Sequence, residues 1–154
     1  MRELSELSLK LQAPVVFAQD AIGVIPEEHP FFAGHFQHYR SHPLCIDALR
    51  QTDLVLAVGL RAGTAELTEL RQRAPEKNLI LIGFDDAADA RNTGEDQRVA
   101  DPKLFLTALL DRLGDYQRPR DEARIRKMAE GKAAIRASLA AQNEPHRSDQ
   151  PIYP

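Results

Sequence analysis

Asp53-Leu-Val-Leu-Ala-Val-Gly59 holds an unbroken apolar run between an acid and a glycine. A run this short, rich in valine and leucine, has the composition of a strand buried on both faces, as in parallel sheets covered by helices. Leu79-Ile-Leu-Ile-Gly-Phe84 repeats the pattern and ends at Asp85-Asp86, and Ala13-Pro-Val-Val-Phe-Ala18 is a third example. Between the first and third lies a stretch punctuated by Pro26, Pro30 and Gly34, where Phe31 to Ala33 has room for only a short strand. Val99 and its neighbours add a short strand at the edge.

Helical patterns separate these strands. Leu4, Leu7 and Leu11 share one face of a helix from Glu3 to Gln12. Pro43 suits the first turn of a helix over Leu44 to Gln51, because its missing N–H costs nothing there. Leu67 and Leu70 mark a short helix before Pro75. Asp101-Pro102 opens another, with Leu104, Phe105, Ala108, Leu109 and Leu113 on one face and Gly114 as its stop. Strands alternating with helices predict an α/β fold: a three-layer, doubly wound, mostly parallel sheet. Residues 1–114 form this domain. Residues 115–142 hold a charged connecting helix with a narrow stripe of Ile125, Met128, Ile135 and Leu139, and residues 143–154 read as an interdomain linker.

Composition narrows the function classes. A chain of 154 residues is long enough for one domain with a sizeable core. A net charge of -3, with bases interleaved among acids, leaves no electrostatic footprint for nucleic acid. No apolar run reaches the length of a membrane span, and the N-terminus lacks a signal pattern. One cysteine, Cys45, forms no internal disulfide and fits a reducing, cytoplasmic setting.

Several stretches in order carry a resemblance: Ala13-Pro-Val-Val16, Gly23-Val-Ile-Pro-Glu27 with His29-Pro30, Thr52-Asp-Leu-Val-Leu-Ala-Val-Gly-Leu-Arg61, Leu79 to Asp85, and Val99 with Asp101. Their order and spacing resemble the central domain of thiamine-diphosphate-dependent enzymes of the acetolactate synthase kind, over about residues 1–114. Pro151-Ile-Tyr-Pro154 resembles the family's entry into its cofactor domain. The resemblance implies a Rossmann-like sheet of the NAD/FAD-binding type in strand order 3-2-1-4-5-6. Its first strand would precede the helix at Glu3 and sit between Ala13–Ala18 and Leu54–Val58, so its apparent absence implies a fragment with two unpaired apolar edges. The resemblance also implies a parent that cleaves or decarboxylates a 2-keto acid or ketol, with partner domains and homo-oligomeric assembly. The family's catalytic glutamate and its Gly-Asp-Gly magnesium and diphosphate motif belong to other domains. Thiamine diphosphate and magnesium are therefore expected in the parent, and neither in this chain.

In open α/β sheets ligands bind beyond the carboxyl ends of the strands, here Gly34, Gly59 to Gly63 and Asp85-Asp86. Relatives hold FAD or ADP in these loops. Gly59 would allow close backbone approach, Arg61 would pair with a phosphate, and Asp85 would accept from a ribose hydroxyl. The blander account is that Gly59 ends a strand, Arg61 pairs on the surface and Asp85 caps a turn. Two departures favour it: His38-Tyr-Arg-Ser-His42 replaces the flavin-contacting Gly-Met-His-Gly-Thr of relatives, and Gly83 replaces the first acid of their Ile-Asp-Ile-Asp pattern. His35, His38 and His42 have the spacing of a zinc or nickel site, although Pro43 interrupts any helix there. A Ser41/His42/Asp47 nucleophile lacks the strained-turn context. Cys45 reads as a small core residue.

Overall fold

A computed structural model of the chain describes residues 1–36, 42–61, 64–74, 78–84 and 96–142. The apolar run at residue 79 becomes the best-protected strand. Here β1 is Val15–Phe17, β2 Phe32–His35, β3 Leu54–Val58, β4 Asn78–Gly83 and β5 Asp96–Val99. β4 pairs in parallel with β3 on one side and β5 on the other. Leu81 is 1% exposed and Ile82 0%. β1 and β2 form a second parallel sheet, so the order is β1-β2 and, separately, β3-β4-β5. The division falls between β1 and β3.

Helices fill both faces. α1 is Arg2–Leu11, α2 Pro43–Gln51, α3 Ala65–Arg73, α4 Pro102–Leu113 and α5 Glu122–Gln142. Alternation along the strands assigns them to layers, since successive side chains point to opposite faces. Leu79 and Leu81 of β4 join Ala57 of β3 in a cluster with Cys45 and Leu49 of α2 and Leu67 and Leu70 of α3. The intervening Ile80 and Ile82 therefore face the other layer, where α4 packs on β4 and α1 packs on α4. β1 divides likewise: Val16 packs against the α2 side, while Val15 and Phe17 lie with Leu4 of α1.

The helix starts follow the sequence signals. Asp101 accepts from the amides of Lys103 (2.8 Å) and Leu104 (2.9 Å), with Pro102 in the first turn. His42 caps α2, its Nδ1 accepting from the Leu44 amide at 3.2 Å, and Thr64 caps α3. The buried face of α4 differs from expectation. Leu106 is fully buried and Leu104 is 70% exposed, so the helix is turned from the stripe read in the sequence. Apolar residues fill most of Leu104 to Leu110, and periodicity alone cannot choose a face within such a run.

The charged helix is docked on the domain. Ile125, Met128 and Ile135 of α5 pack with Phe31, Ala33 and Leu44, while Leu139 lies exposed beyond the contact. Gly131 allows α5 to approach α2: a β-carbon there would fall 2.6 Å from Leu44 Cδ1. The segment leading into α5 is tied to the end of α1. Gln12, in the left-handed conformation at φ 49, donates from Nε2 to the carbonyls of Arg118 (2.9 Å) and Pro119 (2.8 Å) and accepts at Oε1 from the Asp121 amide (2.9 Å).

Cys45 is fully buried on α2, and burial pushes its thiol from the ordinary 9.0 up to about 12. The folded state keeps the proton that the unfolded state loses. Stability tied to this group is therefore complete below 9.0 and is lost as pH climbs from 9.0 towards 12. In native protein iodoacetamide should leave Cys45 untouched at mildly alkaline pH, and in concentrated guanidinium it should label the thiol fully. Labelling of the native chain at the unfolded rate would show that α2 does not bury it.

Candidate functional site

The carboxyl ends of β3 and β4 lie side by side because the two strands pair in register from Leu54 with Asn78 to Val58 with Ile82. Gly59 continues this ladder, its amide donating to the Ile82 carbonyl at 2.7 Å. Its φ of +75 is a conformation that side chains disfavour, and no atom lies within 4 Å of where its β-carbon would be. The backbone is thus bare toward open space. Arg61 is exposed two residues on, and the Thr64 hydroxyl donates to its carbonyl at 3.0 Å, turning the chain into α3. Phe84, 71% exposed, stands at the end of β4.

Gly34 lies elsewhere. It belongs to β2 in the other sheet, is buried at φ +94, and its missing β-carbon would meet His42 Cβ and Ile135 Cδ1, each at 3.8 Å. The positive φ favours glycine there, while a β-carbon would make only ordinary van der Waals contact with α2 and α5. Asp85, the proposed ribose partner, lies outside the described residues. The structure therefore groups Gly59 and Arg61 on one side and places Gly34 on the other.

His35 ends β2 with its ring 5.4 Å from that of Phe17, and its Nε2 is buried with no hydrogen-bond partner. His42 has its Nδ1 engaged as the α2 cap, and burial lowers its pKa. His38 and Ser41 lie outside the described residues. Asp47 pairs with Lys127 of α5 at 3.2 Å. Among the described residues, no group of three or more His, Cys, Asp or Glu side chains is placed to hold a metal ion.

His29 entered the sequence reading only as part of the His29-Pro30 stretch, with no role of its own. It is buried beside α1, with Nε2 3.2 Å from the Ser5 carbonyl and Nδ1 accepting from the Phe31 amide at 3.3 Å, which fixes the Nε2-protonated tautomer. Desolvation lowers its pKa.

Substituting Gly59→Ala tests the backbone geometry at the strand end. The open space means that the only cost is conformational, about 1–2 kcal/mol for an L-residue held at positive φ. Urea unfolding should show a lower midpoint at unchanged slope.

The comparison with known families supplies the remaining observation: the model for the thiamine pyrophosphate enzyme central domain matches residues 1–109. The chain belongs to this central-domain family. A Bacillus subtilis (strain 168) protein, YdaP, provisionally named as thiamine pyrophosphate-containing, is 36% identical over 58 residues. That stretch covers 38% of this chain and 10% of YdaP. The divided parallel sheet between two helical layers agrees with this assignment. Among the described residues, no helix of the central domain is long and apolar enough to cross a membrane.

Proposed function

We propose that this central domain is a non-catalytic, structural part of a thiamine-diphosphate-dependent enzyme. The parent is of the acetolactate synthase kind, a cytoplasmic lyase or transferase acting on 2-keto acids. The observation that carries the reading is the family match over residues 1–109. In the parent, thiamine diphosphate and magnesium are held by the other domains, and homo-oligomeric assembly brings those domains together. Residues 1–114 are the domain, 115–142 the connecting helix and 143–154 the linker toward the cofactor domain. The protein's part is to position the cofactor-bearing domains, and the cofactor supplies the electron sink for breaking the bond next to the keto group. The purified chain, incubated with pyruvate, thiamine diphosphate and magnesium, should release no carbon dioxide. Turnover by the chain alone would contradict a non-catalytic role.

A second reading is favoured by one observation, the open space over Gly59 beside Arg61. Here the loops after β3 and β4 hold the phosphates of FAD or ADP without catalysis. Bare backbone admits a phosphate closely, and the guanidinium pairs with it. A ligand that binds only the folded state must stabilise it. Millimolar FAD or ADP that raises the melting temperature, with the rise lost in Arg61→Ala, would support this reading. An unmoved melting temperature would exclude it for the isolated chain. Metal holding by His35, His38 and His42 gains no support from the position of His42 as a helix cap.

A further inference from the structure

The turn that leads into β2 meets α1 at one side chain, His29. Its amide closes the turn by donating to the Pro26 carbonyl at 3.1 Å, and its carbonyl accepts from the Phe32 amide at 3.0 Å. The ring is 8% exposed and stands 6.4 Å from that of Phe31. Both ring nitrogens are used: Nε2 donates to the Ser5 carbonyl of α1, and Nδ1 accepts from the Phe31 amide. α5 holds the same turn through Lys132, whose ammonium donates to the carbonyls of Glu28 at 3.0 Å and His29 at 2.8 Å.

This arrangement accommodates one protonation state of the ring. A proton added at Nδ1 turns an acceptor into a donor that faces the Phe31 N–H, so one hydrogen bond becomes a clash of two donors. The charge gained is not neutralised. Among the described residues the charged group that acts on the ring is Lys132, of the same sign; α1 presents the neutral Ser5 carbonyl, and Arg136 and Glu28 are the charged neighbours of Lys132 itself. Burial, opposed by the Ser5 carbonyl and aided by Lys132, holds the pKa of His29 below the ordinary 6.5. The unfolded chain therefore takes up the proton first as pH falls. Stability tied to the ring is complete above 6.5 and is lost as pH drops from there towards the lower folded value.

We propose that His29 is an acid-sensitive latch, whose protonation opens the contact between α1 and the turn before β2 and loosens the Lys132 tie of α5, while the β3-β4-β5 sheet stays folded. The latch consists of hydrogen bonds at one turn, and the strand at the centre of the sheet, Asn78-Leu-Ile-Leu-Ile-Gly83, carries no titratable side chain. Acid therefore acts on the helix contact before it acts on β4.

The test follows hydrogen exchange amide by amide in the full 154-residue chain, as protection relative to the intrinsic rate, between about pH 7.5 and about pH 5. Protection in α1 should fall about tenfold or more while that of β4 holds, and the His29 ring resonance should titrate with the same midpoint as the loss. His29→Gln keeps a side chain that donates and accepts but does not titrate, so α1 should stay protected throughout. His42 is a second histidine whose pKa burial lowers, at the cap of α2. His42→Asn keeps a capping side chain and should leave the α1 response intact. Four results would overturn the proposal: protection in α1 that does not change with pH, an equal loss in β4, a response that persists in His29→Gln, or one that vanishes in His42→Asn. Should His29→Gln not fold, the unaltered chain decides, because a ring midpoint that differs from that of the α1 response would be equally contrary.

Discussion

Leu81→Ala is expected to cost about 2–5 kcal/mol, the range for removing a fully buried leucine whose surroundings cannot close over the gap. Leu81 is 1% exposed in the middle of β4, with β3 on one side and β5 on the other. Its neighbours in the cluster come from α2 and α3 as well as from β3, so three elements would have to move together to fill the void. For a chain of this length the loss corresponds to a fall in melting temperature of roughly 5–15 °C. Leu104→Ala on α4 is the matched control: its side chain is 70% exposed, and the change should alter stability by less than about 0.5 kcal/mol. Equal effects at the two positions would mean that the α4 face and the β4 core are wrongly placed.

The second large effect is expected at Gln12. Its amide joins the end of α1 to Arg118, Pro119 and Asp121 through three hydrogen bonds, and its own carbonyl accepts from Arg124 at 3.3 Å. Gln12→Ala deletes the three side-chain bonds and leaves part-buried backbone groups unsatisfied, at about 2–4 kcal/mol in total. The damage should be local first. Amides from Ile125 onward should lose hydrogen-exchange protection while those of β4 retain it, because α5 is held by this tie and by the Ile125, Met128 and Ile135 contact. Gln12→Gly should be milder by about 1 kcal/mol, since glycine accepts the φ of 49 without strain. If alanine and glycine behave alike, backbone strain plays no part at this position.

These two sites also show what the sequence could and could not reveal. β4 was legible because a short apolar run bounded by a lysine-asparagine pair and a glycine has few other fates. The caps at Asp101 and the proline starts at Pro43 and Pro102 were legible because their effect is local. Gln12 was not, since its partners lie more than a hundred residues away and a glutamine at a helix end carries no local signature. Leu106 was hidden among apolar neighbours, and the docking of α5 depended on Gly131 meeting Leu44, a contact without sequence periodicity.

The candidate site was legible in part. Gly59 was legible as a strand end, since an apolar run stopped by a glycine is a local signal, and its φ of 75 is one that glycine adopts without strain. Gly34 was grouped with it as another residue beyond a strand's carboxyl end, and the structure sets it within β2 of the other sheet at a positive φ, a backbone requirement that looks the same in sequence as a ligand-serving glycine. The separation of the two sheets follows the strand order that the resemblance implies, and it is seen in the division into β1-β2 and β3-β4-β5.

Calorimetric titration of thiamine diphosphate with magnesium into the purified chain is the most direct test of its role as a central domain without the cofactor site. No saturable heat is expected at millimolar ligand. A saturable, one-to-one isotherm that depends on magnesium would place the cofactor on this domain and contradict it.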